Sequence, residues 1–172
     1  MKSPSRYATV GAIGIIGAAL LASQSQENKT VQKEPHMTNH ASGSFEVKMT
    51  PQKPDNPVAE AANFTRMSGE KQFHGDLEAT GKVEMLASSP DAKGSGVYVA
   101  LERVTGTLKG RKGSFALYHT GIMNRGVPQL SIEVVPDSGT DQLVGLTGKM
   151  IIHIAKDGKH TYEFDYSLPD AQ

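Results

Sequence analysis

The sequence predicts an all-β fold, a single eight-stranded antiparallel β-barrel, on three observations. From residue 41 onward apolar and polar residues alternate strictly, turn residues interrupt the alternation, and almost no segment carries a helical period. Closure follows because an open sheet of this size would leave edge strands free to pair with other chains.

The elements follow in order. Ala41, Gly43, Phe45, Val47 and Met49 alternate with Ser42, Ser44, Glu46, Lys48 and Thr50 and make the first strand. PQKPDNPVAE, residues 51–60, carries three prolines, so it is expected as a rigid connection over the surface or across a barrel end. A second strand is expected over 62–68 and a long third one over 73–87, where Phe73, Gly75, Leu77, Ala79, Gly81, Val83, Met85 and Ala87 keep one apolar phase. SSPDAKGSG leads into a hairpin of strands 97–108 and 114–123, and NRGVP leads into a strand from Gln129 to Val135. After the turn PDSGT, LVGLTGKMIIHIA and KHTYEFDYSLP form the last hairpin.

Registers follow from matching faces. A three-residue loop, Lys156-Asp157-Gly158, sets Ile154, Ile152 and Met150 opposite His160, Tyr162 and Phe164, so apolar meets apolar. In the hairpin at 97–123 the same test favours a four-residue loop, Gly110 to Gly113. Tyr98, Ala100, Glu102, Val104, Gly106 and Leu108 then share the inner face with Phe115, Leu117, His119, Gly121 and Met123, while Arg103 faces out. Glu102 and His119 become diagonal neighbours, with Cα atoms about 7 to 8 Å apart.

Composition bounds the function. The 172 residues are 37% hydrophobic and 21% charged, which suits one globular domain, and 18 Lys and Arg balance 18 Asp and Glu, so charge selects neither nucleic acid nor an anionic membrane. The absence of cysteine removes disulfides, thiolate nucleophiles, zinc-thiolate sites and lipobox attachment. Histidines 40, 74, 119, 153 and 160 include no i, i+2 or i, i+4 pair, so no metal and no cofactor is expected, and solvated faces account for them. KGRKG is a basic turn tip without stacking aromatics, and no Gly-x-Ser-x-Gly is present.

The N-terminus reads separately. Lys2 and Arg6 precede the uncharged run ATVGAIGIIGAALLA, 15 residues, which matches a signal-peptide apolar region and is short for a membrane span. Residues 1–25 are expected as a signal peptide, with an uncleaved anchor as the alternative, and 26–37 as a polar linker. The domain is expected over 38–169, periplasmic or secreted, or cytoplasmic if translation starts at Met37.

The stretches NHASGSFEVKMTP, FHGDLEATGKVEML, LERVTGTLKGRKGSFALYHTGIMNRG, VVPDSGTDQLVGLTGKMII and DGKHTYEFDYSLP resemble the family of unknown function DUF3224 over residues 38–169. That resemblance implies an allene oxide cyclase-like barrel and brings no activity or catalytic residues with it. Likeness of fold does not license function.

Two functions from different classes are expected from the inner face. The first is a module binding a small apolar or amphipathic molecule among Phe45, Phe73, Tyr98, Phe115, Tyr162 and Phe164, with Glu102 and His119 fixing its polar end. The alternative is an isomerase or cyclase in which Glu102 or His119 moves a proton. Against both stands a structural role: Glu102 and His119 satisfying one another as a buried pair that fixes strand register. The small inner residues Ala41, Gly43, Gly75, Ala79, Gly81 and Ala87 either leave a cavity or let long strands coil while bulkier side chains fill the space.

Overall fold

A computed structural model describes residues 39–90 and 93–169; the expected signal and linker segments, 1–37, lie outside them. The strands are β1 (Asn39–Gln52), β2 (Thr65–Gly75), β3 (Leu77–Ser88), β4 (Gly96–Leu108), β5 (Arg111–Asn124), β6 (Val127–Val134), β7 (Thr147–Ile154) and β8 (His160–Ser167). Each pairs with its sequence neighbours, and β8 returns to β1 to close an eight-stranded antiparallel barrel. A short helix α1 (Pro57–Ala62) lies between β1 and β2, and a 3-10 turn (Asp141–Leu143) lies between β6 and β7.

The last hairpin has the register its faces require. Ile154, Ile152 and Met150 oppose His160, Tyr162 and Phe164, with Gly158 at φ +86° closing the loop. The hairpin of β4 and β5 differs from expectation at its tip. Its loop has two residues, Lys109 and Gly110, both at positive φ (46° and 82°), and β5 begins at Arg111. Gly113 serves packing and not the turn, because a Cβ there would overlap the Thr140 carbonyl and lie 3.1 Å from Leu143 of the 3-10 turn.

The expected long strand 73–87 is in fact the end of β2 and all of β3, and the second strand covers 65–75, not 62–68. The chain reverses at Gly75, φ +103°, and Phe73 pairs with Ala79. Odd residues pair with odd ones here, so the apolar phase runs through the reversal unbroken and alternation cannot reveal it. The proline-rich connection carries α1, started by the Asn56 side chain, which accepts from the Ala59 N–H at 2.9 Å, and by Pro57, whose ring presets the first helical turn.

One end of the barrel, its base, is solid. Phe73, Leu77, Leu108, Phe115, Tyr162 and Phe164 are all buried there, and Leu143 and Leu146 cover them from the β6–β7 connection. Tyr162 ties the base turn to the barrel wall: its hydroxyl accepts from the Leu77 N–H at 2.9 Å and donates to the His74 carbonyl at 3.3 Å. Tyr162→Phe should therefore cost about 1 to 3 kcal/mol, chiefly by leaving a buried N–H without an acceptor. Denaturant unfolding of the two proteins measures it, and equal midpoints would show that the hydroxyl contributes nothing.

The other end is open. Val47, Met49, Met67, Met85, Ala87 and Tyr98 point inward yet are only half-buried, and inward-facing Leu130 and Met123 are 45% and 40% exposed. Part of the cause is the seam between β6 and β7. Among the described residues those strands share one ladder pair, Glu133 with Lys149 near the base, and run unpaired from there to the open end.

Candidate functional site

Three charged or titratable side chains meet inside the barrel. Glu102 faces inward from β4, opposite Val83 and Leu117, while His119 faces inward from β5, opposite Ala100 and Ile132. They are the diagonal neighbours that the face pattern requires. The true two-residue loop moves the register from that of a four-residue loop without exchanging faces, since both loops pair even residues of β4 with odd residues of β5. Arg103 lies exposed on the outer face, opposite Ala116 and Lys82.

The third member is Lys71, which sequence reasoning missed. It faces inward from β2, opposite Val47 and Gly81, and its Nζ lies 2.7 Å from Glu102 Oε2. The same nitrogen is 5.0 Å from the centre of the Phe45 ring and 5.6 Å from that of Phe73, so the cation rests on two aromatic faces as well as on the carboxylate. Lys71 falls in the gap between the strands expected at 62–68 and 73–87. Continuing the Phe73 phase backward through Lys71, Gly69 and Met67 is the signal that finds it.

Gly81 permits the meeting. Lys71 and Glu102 stand on strands flanking β3 and reach each other over Gly81, where a Cβ would overlap Glu102 Oε1 and sit 3.2 Å from the Lys71 Cβ. Gly81→Ala should displace the carboxylate and cost about 1 to 3 kcal/mol by overpacking. Chemical denaturation tests this, and an unchanged stability would mean that the carboxylate has room to move.

The electrostatics are those of a desolvated ion pair with a third partner. The side chains of Lys71, Glu102 and His119 are 9%, 0% and 5% exposed. Burial pushes the Glu102 carboxyl up, but the His119 contact and the Lys71 charge together outweigh it and hold the group below the ordinary glutamate range. Glu102 is therefore a carboxylate at neutral pH and a weakened base, which suits an acceptor better than a proton carrier. His119 Nε2 lies 3.1 Å from Glu102 Oε2. Among the described residues, Glu102 Oε1 and His119 Nε2 have no hydrogen-bond partner.

The aromatic residues expected to line a ligand space are placed differently from one another. Phe45, Phe73, Phe115, Tyr162 and Phe164 belong to the packed core, with ring centres 5.5 Å apart for Phe45 and Phe73, 5.7 Å for Phe73 and Tyr162, and 5.9 Å for Phe115 and Phe164. They form a floor beneath the charged cluster. Tyr98 stands at the open end with its ring across Gly121. Of the histidines, 40, 74 and 153 are exposed beside Asp165, Glu46 and Glu163 respectively, whereas His160 is half-buried against the Phe45 ring. Among the described residues, no group of three His, Asp or Glu is placed to hold a metal ion.

Two clefts adjoin this part of the barrel. One of about 330 Å³ lies at the rim, bounded by Met85, Ala87, Tyr98, Gly121, Met123 and Leu130, with Gly121 two residues above His119 on β5. A larger one of about 680 Å³ lies on the outer face beside α1, where Leu86, Val99 and Leu101 are exposed and Arg66 pairs with Asp55 and Glu84. His119 borders the larger cleft together with Met85 and Ala100, whereas neither Glu102 nor His119 borders the rim cleft, which is lined mainly by apolar side chains.

Fold and site together define a closed antiparallel barrel with a solid aromatic base, a buried Lys-Glu-His cluster at mid-height and a methionine-rich open end. The chain belongs to the DUF3224 family, proteins of unknown function, whose family model matches residues 41–166. It is similar to a crystal structure of a protein with unknown function from the DUF3224 family of Shewanella oneidensis MR-1. The two are 44% identical over 78% of this chain and 99% of that one, with a TM-score of 0.70. No curated protein matches the chain.

Proposed function

We propose that the barrel binds a small apolar or amphipathic molecule at its open end, with its polar part turned toward Glu102 and His119. The observation that carries this reading is the rim of inward-facing, half-exposed apolar side chains at the open end, in a barrel whose interior also holds a buried carboxylate oxygen without a partner. A rim meant only as core would be covered, and methionine and tyrosine are the side chains that adapt to ligands of irregular shape. The unpaired stretch between β6 and β7 offers a lateral way in for an apolar chain.

Native mass spectrometry of the protein purified from its own host tests the reading. A co-purifying small molecule that is lost on Tyr98→Ala or Met85→Ala supports it. A protein of the bare polypeptide mass that also fails to take up an apolar fluorophore overturns it. The segment Lys2 to Ala22 supports placing this activity outside the cytoplasm. N-terminal sequencing of the mature protein checks that, and a soluble chain retaining Met1 would refute export.

A further inference from the structure

We infer that the protein forms a two-fold dimer in which a second copy of the chain covers the outer face of β3, β4 and β5. The sequence of β4 carries the first sign. Residues 96–101, GVYVAL, are apolar in both phases, the pattern of a strand covered on both faces, whereas Arg103, Thr105 and Thr107 continue the outer phase as polar residues. The barrel interior covers one face only. On the other, Val97, Val99 and Leu101 join Leu86 of β3 and Ile122 of β5 in neighbouring ladder positions, each 44 to 61% exposed. The outer phases of β1 and β8 carry Glu46, Lys48, Glu163 and Asp165 instead. Single exposed apolar residues are ordinary, but a contiguous patch marks an interaction surface.

Shape selects a second copy as the occupant. Leu86, Val99 and Leu101 line the cleft of about 680 Å³ that has α1 as one wall. Two exposed apolar side chains stand at that wall: Val58, 78% exposed, next to cleft-lining Ala59, and Phe64, 53% exposed, two residues before cleft-lining Arg66. A protrusion and a hollow on one face are self-complementary, since turning a second copy about a two-fold axis lays each α1 into the cleft of the other. Charge does not oppose the contact. Arg66 is held by Asp55 and Glu84 of its own chain at the cleft edge, and the patch itself carries no charge, so like surfaces meet without repulsion. The area suffices as well. The patch with Val58 and Phe64 exposes on the order of 700 Å² per copy, close to the roughly 800 Å² that each partner of a stable interface buries.

Light scattering coupled to size-exclusion chromatography of the full chain, across micromolar concentrations, tests the dimer. The expected mass is that of two chains. Leu101→Glu should weaken association by about a hundredfold or more, because two-fold symmetry buries the new charge twice. Val58→Glu attacks the same contact from α1, at a side chain too exposed for the change to unfold the monomer. Ile151→Glu, at an exposed apolar position on the outer face of β7, should leave the dimer intact. A starting protein of single-chain mass at every concentration would overturn the inference and leave the face to a different partner. So would a dimer that survives both Leu101→Glu and Val58→Glu, which would place the contact elsewhere in the chain. Assemblies that keep growing with concentration would overturn the closed two-fold arrangement.

Discussion

A chain ending at Gly158 is expected to lose cooperative folding and to aggregate. The deletion removes β8, which pairs with β1 over Asn39–Tyr166 to Phe45–His160 and with β7 over Thr147–Ser167 to Ile154–His160. Both neighbours become edges, and an unpaired edge in a sheet of this length is a template for intermolecular pairing. Tyr162, Phe164 and Tyr166, which are 1%, 0% and 6% exposed, leave the core at the same time. Truncating one buried aromatic costs about 3 to 5 kcal/mol, so losing three matches the whole stability of an ordinary domain, about 5 to 15 kcal/mol. Size-exclusion chromatography with a thermal melt checks it. A soluble monomeric fragment with an unchanged far-ultraviolet spectrum and a cooperative transition would show that the remaining strands close without β8.

The barrel was legible in the sequence because period-two alternation reports which face a residue occupies, and faces are all that closure needs. Alternation does not report where a strand ends. At Gly75 the chain turns back with its odd residues still inward, so one long strand and two short ones leave the same pattern. At Lys109-Gly110 the two glycines of GRKG drew the loop two residues too far along. The inner set Glu102, Val104, Phe115 and His119 survived because the slip preserved parity.

The site was legible only in part, for a different reason. Glu102 and His119 stand out as polar residues in apolar phases, whereas Lys71 stood in a stretch given no strand, and an inward lysine contradicts composition until its partner is known. Small inner residues mislead in a further way. Gly81 leaves no empty space, because the Glu102 carboxylate occupies the volume its side chain would take, and Tyr98 and Tyr162 do the same over Gly121 and Gly43. A glycine facing a barrel interior shows that something comes close, and only the opposite strands say what. α1 has its start signal in Asn56-Pro57, but six residues are too few to display a helical period.

Removing Glu102 alone should be among the most damaging single substitutions away from the aromatic base. Glu102→Ala leaves the Lys71 ammonium, 9% exposed, without its counter-charge, and breaking a buried pair from one side costs about 3 to 5 kcal/mol. Removing both charges should not. In Glu102→Leu with Lys71→Met the desolvation cost disappears together with the attraction, so stability should return to within about 1 kcal/mol of the starting protein or exceed it. Arg103→Ala, on the exposed outer face, should shift stability by less than about 0.5 kcal/mol and serves as the control. The pH dependence distinguishes the ion pair from mere packing. Because the folded state holds the Glu102 carboxyl below its unfolded value, its contribution is fully present above the ordinary glutamate range and is lost as pH falls through the lowered folded value. The starting protein should therefore lose more stability than the uncharged double variant on going from neutral pH to below about 4. Urea unfolding of the starting protein, Glu102→Leu, Lys71→Met and the double variant at neutral and acidic pH supplies the measurement. Additive penalties for the two single substitutions, with the same acid sensitivity in the double variant, would mean that Lys71 and Glu102 do not act as a pair.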